Sequence, residues 1–274
     1  MTNSWPFPPN TQEVQLDEKW SFVAKKEKRC DPENPADQRR GDNWDHVALD
    51  PEHRLVLAVA NGKRSHLHVR AVLRKVDKIL AGRVPRLFTS DEFEAYYGEL
   101  LLQYGHWVQP GRRGSRGRQP HPRLEPREEL LYATVHKTRE NGTVVKVEPR
   151  LRFGTPERLA SALSASKSSD EVNTSFLERQ NGTDRNRNKR KTRKTCCFSK
   201  DWEIHNAVTK FTMYSYNFCW PVRTLRVKQA EGRYREMTPA MSAGLADHVW
   251  SIAEWVSYPV PLQESPASRD TNRK

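Results

Sequence analysis

The sequence predicts an α/β fold, a mixed β-sheet flanked by helices, and three observations point to it. Three strand-like runs fall within residues 14–61, two helical stripes follow at 66–81 and 92–104, and a short apolar run at 84–89 separates those helices. A strand entered through a crossover helix lies parallel to its neighbour, so the sheet is expected to be mixed rather than a simple meander.

The elements follow in order. Residues 1–12 hold three prolines and read as an extended lead-in. In VQLDEKWSFVA, from Val14 to Ala24, Val14, Leu16, Glu18, Trp20 and Phe22 share one side of a strand. Gln15, Asp17, Lys19 and Ser21 share the other, so Asp17 and Glu18 are expected on opposite faces, with only one of them in any given site. A polar loop at 30–43 leads to strands near 44–49 and 54–61, joined by the turn Asp50-Pro51-Glu52-His53. Apolar residues at 69, 72, 73, 76, 79 and 80 make the first helical stripe, and those at 93, 96, 97, 100, 101 and 104 make the second. Three antiparallel strands followed by a crossover to a parallel fourth are the opening of a ribonuclease H-like sheet. There the first and fourth strands are neighbours, which brings Asp17 and Asp91 together.

Farther on, residues 110–127 form a basic loop; PGRRGSRGRQPHPRL (110–124) holds five arginines, among them Arg112, Arg113, Arg116 and Arg118. Such a loop suits phosphate contact. Residues 130–153 read as a hairpin about Asn141-Gly142. The Ser-rich stretch 161–169 approaches a polar helix that carries Glu178. Ser199 is expected to cap a helix over residues 200–217, whose aromatics pack a core. Thr238-Pro239 is expected to start a last helix with apolar positions at 241, 245, 249, 252 and 256. The implied organisation is a lead-in at 1–12, a catalytic domain at 13–200, a helical extension at 201–258 and a disordered tail at 259–274.

Charge narrows the function classes. The chain has 274 residues, 47 Lys and Arg against 34 Asp and Glu, and a net charge of +13, so a polyanion is the expected partner. No apolar run is long enough to span a membrane, and the first residues lack the form of a secretory signal. Cys30, Cys196, Cys197 and Cys219 include no C-x-x-C pair, which fits a reduced, cytoplasmic setting and argues against structural zinc. His205 is expected to be an exposed helix residue rather than a metal ligand.

The stretch NTSFLERQNGTDRNRNKRKTRK (173–194) concentrates the chemistry. On a helix Glu178 and Arg185 fall on one face two turns apart, so a carboxylate that can hold a cation lies in line with a group that can hold phosphate. Asp17, Asp91 and Glu178 in a basic chain suggest metal-assisted phosphodiester chemistry, because hard cations take oxygen ligands and a pair of them stabilises both attacking and leaving oxygens.

LDEKW (16–20), TSDEFEAY (89–96), NTSFLERQNGTDRNRNKRKTRKTCCFSKDW (173–202), FTMYSYNFCWPVRTLR (211–226) and TPAMSAGLADHVWS (238–251) resemble the DDE transposases of the "insertion sequence one" family. The resemblance covers most of residues 14–252. It implies a ribonuclease H-like domain with Asp17, Asp91 and Glu178 as a triad for two Mg²⁺ ions, Mn²⁺ being a substitute. Arg179 and Asn181 match the family's ER-x-N pattern, and Arg185 its basic position seven residues after the glutamate. The expected DNA contacts are Arg179, Asn181, Arg185, Arg187, Lys189, Arg190, Lys191, Arg193 and Lys194, with Arg112, Arg113, Arg116 and Arg118 of the basic loop. The partners implied are transposon ends and target DNA, a second copy of the chain in a homo-oligomer, and a nucleoid-associated setting. Family members usually carry a zinc-binding and helix-turn-helix region ahead of the catalytic domain. No such segment precedes Asp17, so end recognition is expected from a separate or upstream region. The competing expectations are a nuclease that cleaves without joining and an inactive DNA-binding remnant.

Overall fold

The computed structural model describes residues 9–111, 118–192, 194–230 and 232–259. The remainder of the expected lead-in (1–8), most of the tail (260–274), Arg112, Arg113 and Arg116 of the basic loop, and Arg193 lie outside these residues.

Strand β1 (Glu13–Val23) pairs antiparallel with β2 (Gly41–Asp50), and β2 pairs antiparallel with β3 (Leu55–Gly62). Helix α1 (His66–Ile79) crosses back to β4 (Leu87–Ser90), which lies parallel to β1 with Leu16 opposite Ser90. Helix α2 (Glu94–Tyr104) follows, then a small hairpin of β5 (Gly105–Val108) and β6 (Arg123–Pro126). The far end of the supposed basic loop is therefore a paired strand.

β7 (Tyr132–Glu140) lies parallel to β4 and turns into β8 (Thr143–Phe153). Asn141 and Gly142 have φ of 50° and 82°, the pair of positive values that a two-residue hairpin turn requires and that Asn-Gly tolerates. The resulting six-stranded mixed sheet has the order β3-β2-β1-β4-β7-β8. Only Tyr132–Thr134 of β7 pair with β4, so the rest of the β7–β8 hairpin runs on as a two-stranded ribbon.

Helices then return to the sheet: α3 (Pro156–Ser164), α4 (Ser175–Arg187) and α5 (Trp202–Cys219). The Ser-rich approach is thus partly helical, with Thr155 accepting a hydrogen bond from the Arg158 amide and Pro156 in the first turn. The cap of α5 is Asp201 rather than Ser199; its carboxylate accepts from the Ile204 amide at 2.8 Å, and Ser199 is buried against His205 instead. A short hairpin, β9 (Val227–Lys228) with β10 (Tyr234–Arg235), precedes α6 (Pro239–Ser242) and α7 (Ile252–Ser257). The single last helix expected from the apolar spacing is two pieces, because the chain leaves helical geometry after Ser242 and Gly244 takes φ of 72°.

The sheet is covered on both faces. Val14, Leu16, Ala48, Leu57 and Phe88 meet Val69, Val72, Leu73 and Val76 of α1 and Tyr96 and Leu100 of α2. On the other face Val47, Leu49, Val56 and Val59 meet Leu177 of α4 and Met213 and Tyr216 of α5, while Leu87, Leu131 and Ala133 meet Leu159 and Leu163 of α3. α5 belongs to this core rather than to an appendage. Its Asn217 accepts from Val56 N at 2.9 Å and donates to Val56 O at 2.8 Å, satisfying backbone groups on the outer edge of β3. No helix among the described residues is long and apolar enough to cross a membrane.

Candidate active site

The inner, polar face of β1 and one stripe of α4 are matched along their lengths. Gln15 accepts from Leu177 N at 3.0 Å and donates to Asn173 O at 2.9 Å. Two residues on, Asn181 Nδ2 donates to Asp17 Oδ2 at 2.7 Å. Another two residues on, Lys19 pairs with Asp184. A step of two along a strand covers about 6.6 Å, and three or four residues of helix cover about 4.5–6 Å, so successive inward side chains meet successive turns of α4.

Beside this seam three carboxylates converge. Asp17, Glu18 and Asp91 each offer an oxygen within 4.8 Å of the others. Asp17 turns to α4 through Asn181 and Glu18 to α2 through Tyr96, the opposite faces expected, yet their oxygens still come within reach of one another and of Asp91. β4 stops pairing with β1 at Ser90, opposite Leu16, so Asp17 and Glu18 lie just past the paired register. Asp91 sits just there, its Oδ1 accepting from Phe93 N at 3.2 Å as the chain enters α2.

Burial raises all three groups, and the Asp91 charge adds to the effect on Asp17 and Glu18. Asp17 is pushed up to about 6, first by burial and then by the Asp91 charge, with Glu178 adding to the effect. Glu18 is pushed up to about 7 by burial and Asp91, although Arg64 donates to it from Nε at 2.7 Å and from Nη2, and the Tyr96 hydroxyl donates at 3.1 Å. Asp91 is raised, chiefly by burial. The Asn181 Oδ1 atom, buried beside Asp17, has no hydrogen-bond partner among the described residues.

Glu178, on the same helix, lies outside the tight group of three. Its carboxylate is half exposed, accepts from Thr174 Oγ1 at 3.0 Å and is paired with Lys137 of the β7–β8 ribbon. It is still close enough for its charge to raise Asp17 and Asp91.

Behind the seam lies a set of buried charges. Lys19 pairs with Asp184 and, at 3.3 Å, with Asp45; Asp45 also pairs with Lys191, and none of these side chains is more than 1% exposed. Burial alone would raise Asp45, but Lys191 and Lys19 hold it well below the usual carboxylate range. Lys191 is brought down to about 8 by burial, against the opposing pull of Asp45.

The basic residues divide by direction. Arg179, Lys189, Lys194 and Arg118 are exposed, whereas Arg185 and Arg190 are half-buried. Two expected DNA contacts are turned inward instead. Lys191 is committed to Asp45, and the Arg187 guanidinium lies 3.5 Å over the Trp220 ring. Asn181, also expected to touch DNA, is buried and holds Asp17. His205 is not on the surface: it is fully buried, bonded to Ser199 at 2.7 Å and Ser21 at 3.2 Å, and lowered to about 4 by burial.

Residue pattern missed Glu18, Lys137 and the Lys19–Asp45–Asp184–Lys191 set. One signal was available for Glu18, a carboxylate in the middle of the apolar face of β1. No family model matches the chain, and a search of curated proteins returns no match.

Proposed function

We propose that this chain is the catalytic part of a DNA transposase of the "insertion sequence one" type, cleaving and joining DNA strands with divalent metal. The reading is supported by one observation above the others: Asp17 on β1 and Asp91 just past the end of its parallel neighbour β4 converge, and Glu178 on α4 lies near enough for its charge to raise both. The order β3-β2-β1-β4-β7, in which β2 alone runs against the other four strands, is the arrangement a ribonuclease H-like domain would have.

The donor set fits Mg²⁺. It consists of carboxylate oxygens, with the Asn181 amide oxygen unsatisfied beside them. Asp17, Asp91 and Glu178 would hold the ions, and a bound pair supplies Lewis-acid stabilisation of the attacking and leaving oxygens. The chain's own residues do the rest. Asn181 fixes one oxygen of Asp17. Arg64 and Tyr96 hold Glu18 against its neighbours. Lys137 occupies Glu178, and Arg179 stands exposed one residue on, placed to meet a phosphate oxygen.

Incubation of the protein with labelled DNA ends and Mg²⁺ or Mn²⁺ tests the proposal. Joined products support it. Nicks without joining favour a nuclease, and a metal-independent band shift without cleavage marks an inactive binding remnant.

A further inference from the structure

Away from the carboxylates, between the end of α4 and the start of α5, lies an open groove of about 670 Å³. Lys189, Arg190 and Lys200 line it together with Phe198 and two adjacent thiols, Cys196 and Cys197. Among the described lining residues the one acid, Asp201, is engaged in capping α5. Both thiols are exposed and free, and Thr195 Oγ1 accepts from Cys197 N at 2.9 Å, fixing the turn that presents them.

The other two cysteines make an internal contrast. Cys30 is half-buried, and burial with the nearby Glu27 and Asp37 charges pushes its thiol up. Cys219 is half-buried as well and pushed up by burial. Cationic surroundings and access are what make a thiol attack a disulfide, because the thiolate is the nucleophile. Cys30 and Cys219 also have cations nearby but lack the access; the pair at 196–197 is exposed and lines a groove shared with Lys189, Arg190 and Lys200.

We propose that Cys196–Cys197 is a modification site for anionic low-molecular-weight disulfides, of which glutathione disulfide is the type. A thiolate of the pair attacks one sulfur of the disulfide, a bond forms between protein sulfur and glutathione sulfur, the original disulfide bond breaks, and glutathione leaves as its thiolate. The proton lost by the protein thiol goes to solvent. The groove supplies room for a tripeptide, and its cations attract the carboxylates. The adduct persists because the neighbouring cysteine does not resolve it. Adjacent Cα atoms are about 3.8 Å apart, below the roughly 4.4 Å that an ordinary disulfide needs.

The test uses the full, reduced chain treated with glutathione disulfide or with the neutral bis(2-hydroxyethyl) disulfide, with adducts located by intact mass and peptide mapping. The expected result is an adduct on the peptide holding Cys196 and Cys197. It should form about tenfold or more faster with the anionic reagent at low salt, and lose that preference at high salt. A Lys189→Ala/Arg190→Ala/Lys200→Ala variant should react with the neutral reagent as the parent does and show no preference for the anion. Equal rates for the two reagents, or modification of Cys30 or Cys219 at a comparable rate, would overturn the proposal.

Discussion

Lys19 of β1 and Asp184 of α4, 165 residues apart in sequence, form an ion pair that no solvent reaches. Removing one partner of such a pair leaves a charge buried without compensation, which costs about 3–5 kcal/mol, whereas replacing both by apolar groups costs far less. Lys19→Met should therefore lower stability by roughly 3 kcal/mol, and Lys19→Met/Asp184→Leu should recover part of the loss. Urea titrations of the two variants beside the parent check this. A single variant as stable as the parent would show that the pair contributes nothing.

The raised carboxylates give a pH dependence of definite sign. Asp17 titrates near 6 in the folded chain against 3.8 as the ordinary value. Its protonated form is favoured by folding, so that contribution is complete below about pH 4 and lost as pH rises through about 6. In chelator at pH 8, Asp17→Asn should be more stable than the parent by about 2–3 kcal/mol, with little difference at pH 4. Adding Mg²⁺ should stabilise the parent and not the variant. Thermal melts at the two pH values decide it, and a variant less stable at pH 8 in chelator would contradict the electrostatic account.

On the proposed function, Glu178→Gln should abolish cleavage while DNA binding survives, because a metal ligand loses the charge the ion needs. Arg185→Ala should weaken substrate positioning and leave metal binding intact. Divalent-dependent cleavage and joining by the two variants, with folding verified by melt, is the measurement. Active Glu178→Gln protein would end the three-carboxylate reading.

Lys137 is paired with that same carboxylate, so it competes with any cation that uses it. Lys137→Ala should lower the Mg²⁺ concentration giving half-maximal cleavage. If the midpoint stays where it is or rises, Lys137 has another role.

DNA affinity should be mainly electrostatic. With about six phosphates neutralised it falls roughly 10³-fold between 50 and 200 mM salt. Lys189→Ala should reduce the logarithmic salt slope by about 0.9. Arg187→Met should leave it unchanged, since that guanidinium is stacked on Trp220. Band-shift titrations across salt concentrations separate the two, and a flat salt response would rule the electrostatic account out.

Much of this architecture was legible because it rests on periodicity. The alternation in β1, the stripes of α1 and α2 and the Asn-Gly turn each follow from one local rule, and together they place Asp17 beside Asp91. What failed to show in the sequence depends on where neighbours stop. Glu18 comes near Asp17 and Asp91 just past the point where β4 stops pairing with β1, and no pattern within β1 records where that point falls. Arg187 and Lys191 looked like their basic neighbours, yet the turn of α4 and the segment after it point them at Trp220 and Asp45. Gly244 parts α6 from α7 in a stretch whose apolar spacing reads as one helix.

The seam between β1 and α4 also sets an order of assembly. β1 leaves the ribosome early, but Asp184 follows Lys19 by 165 residues, roughly ten to thirty seconds of synthesis at about 5–20 residues per second. Until then Lys19 has no Asp184 to meet, Asp17 lacks Asn181, and the face of β1 meant for α4 stays in water. A nascent or prematurely terminated chain can form the hairpins and α1 without completing the site. Topology alone thus delays the meeting of Asp17 with Asn181 until α4 has been made.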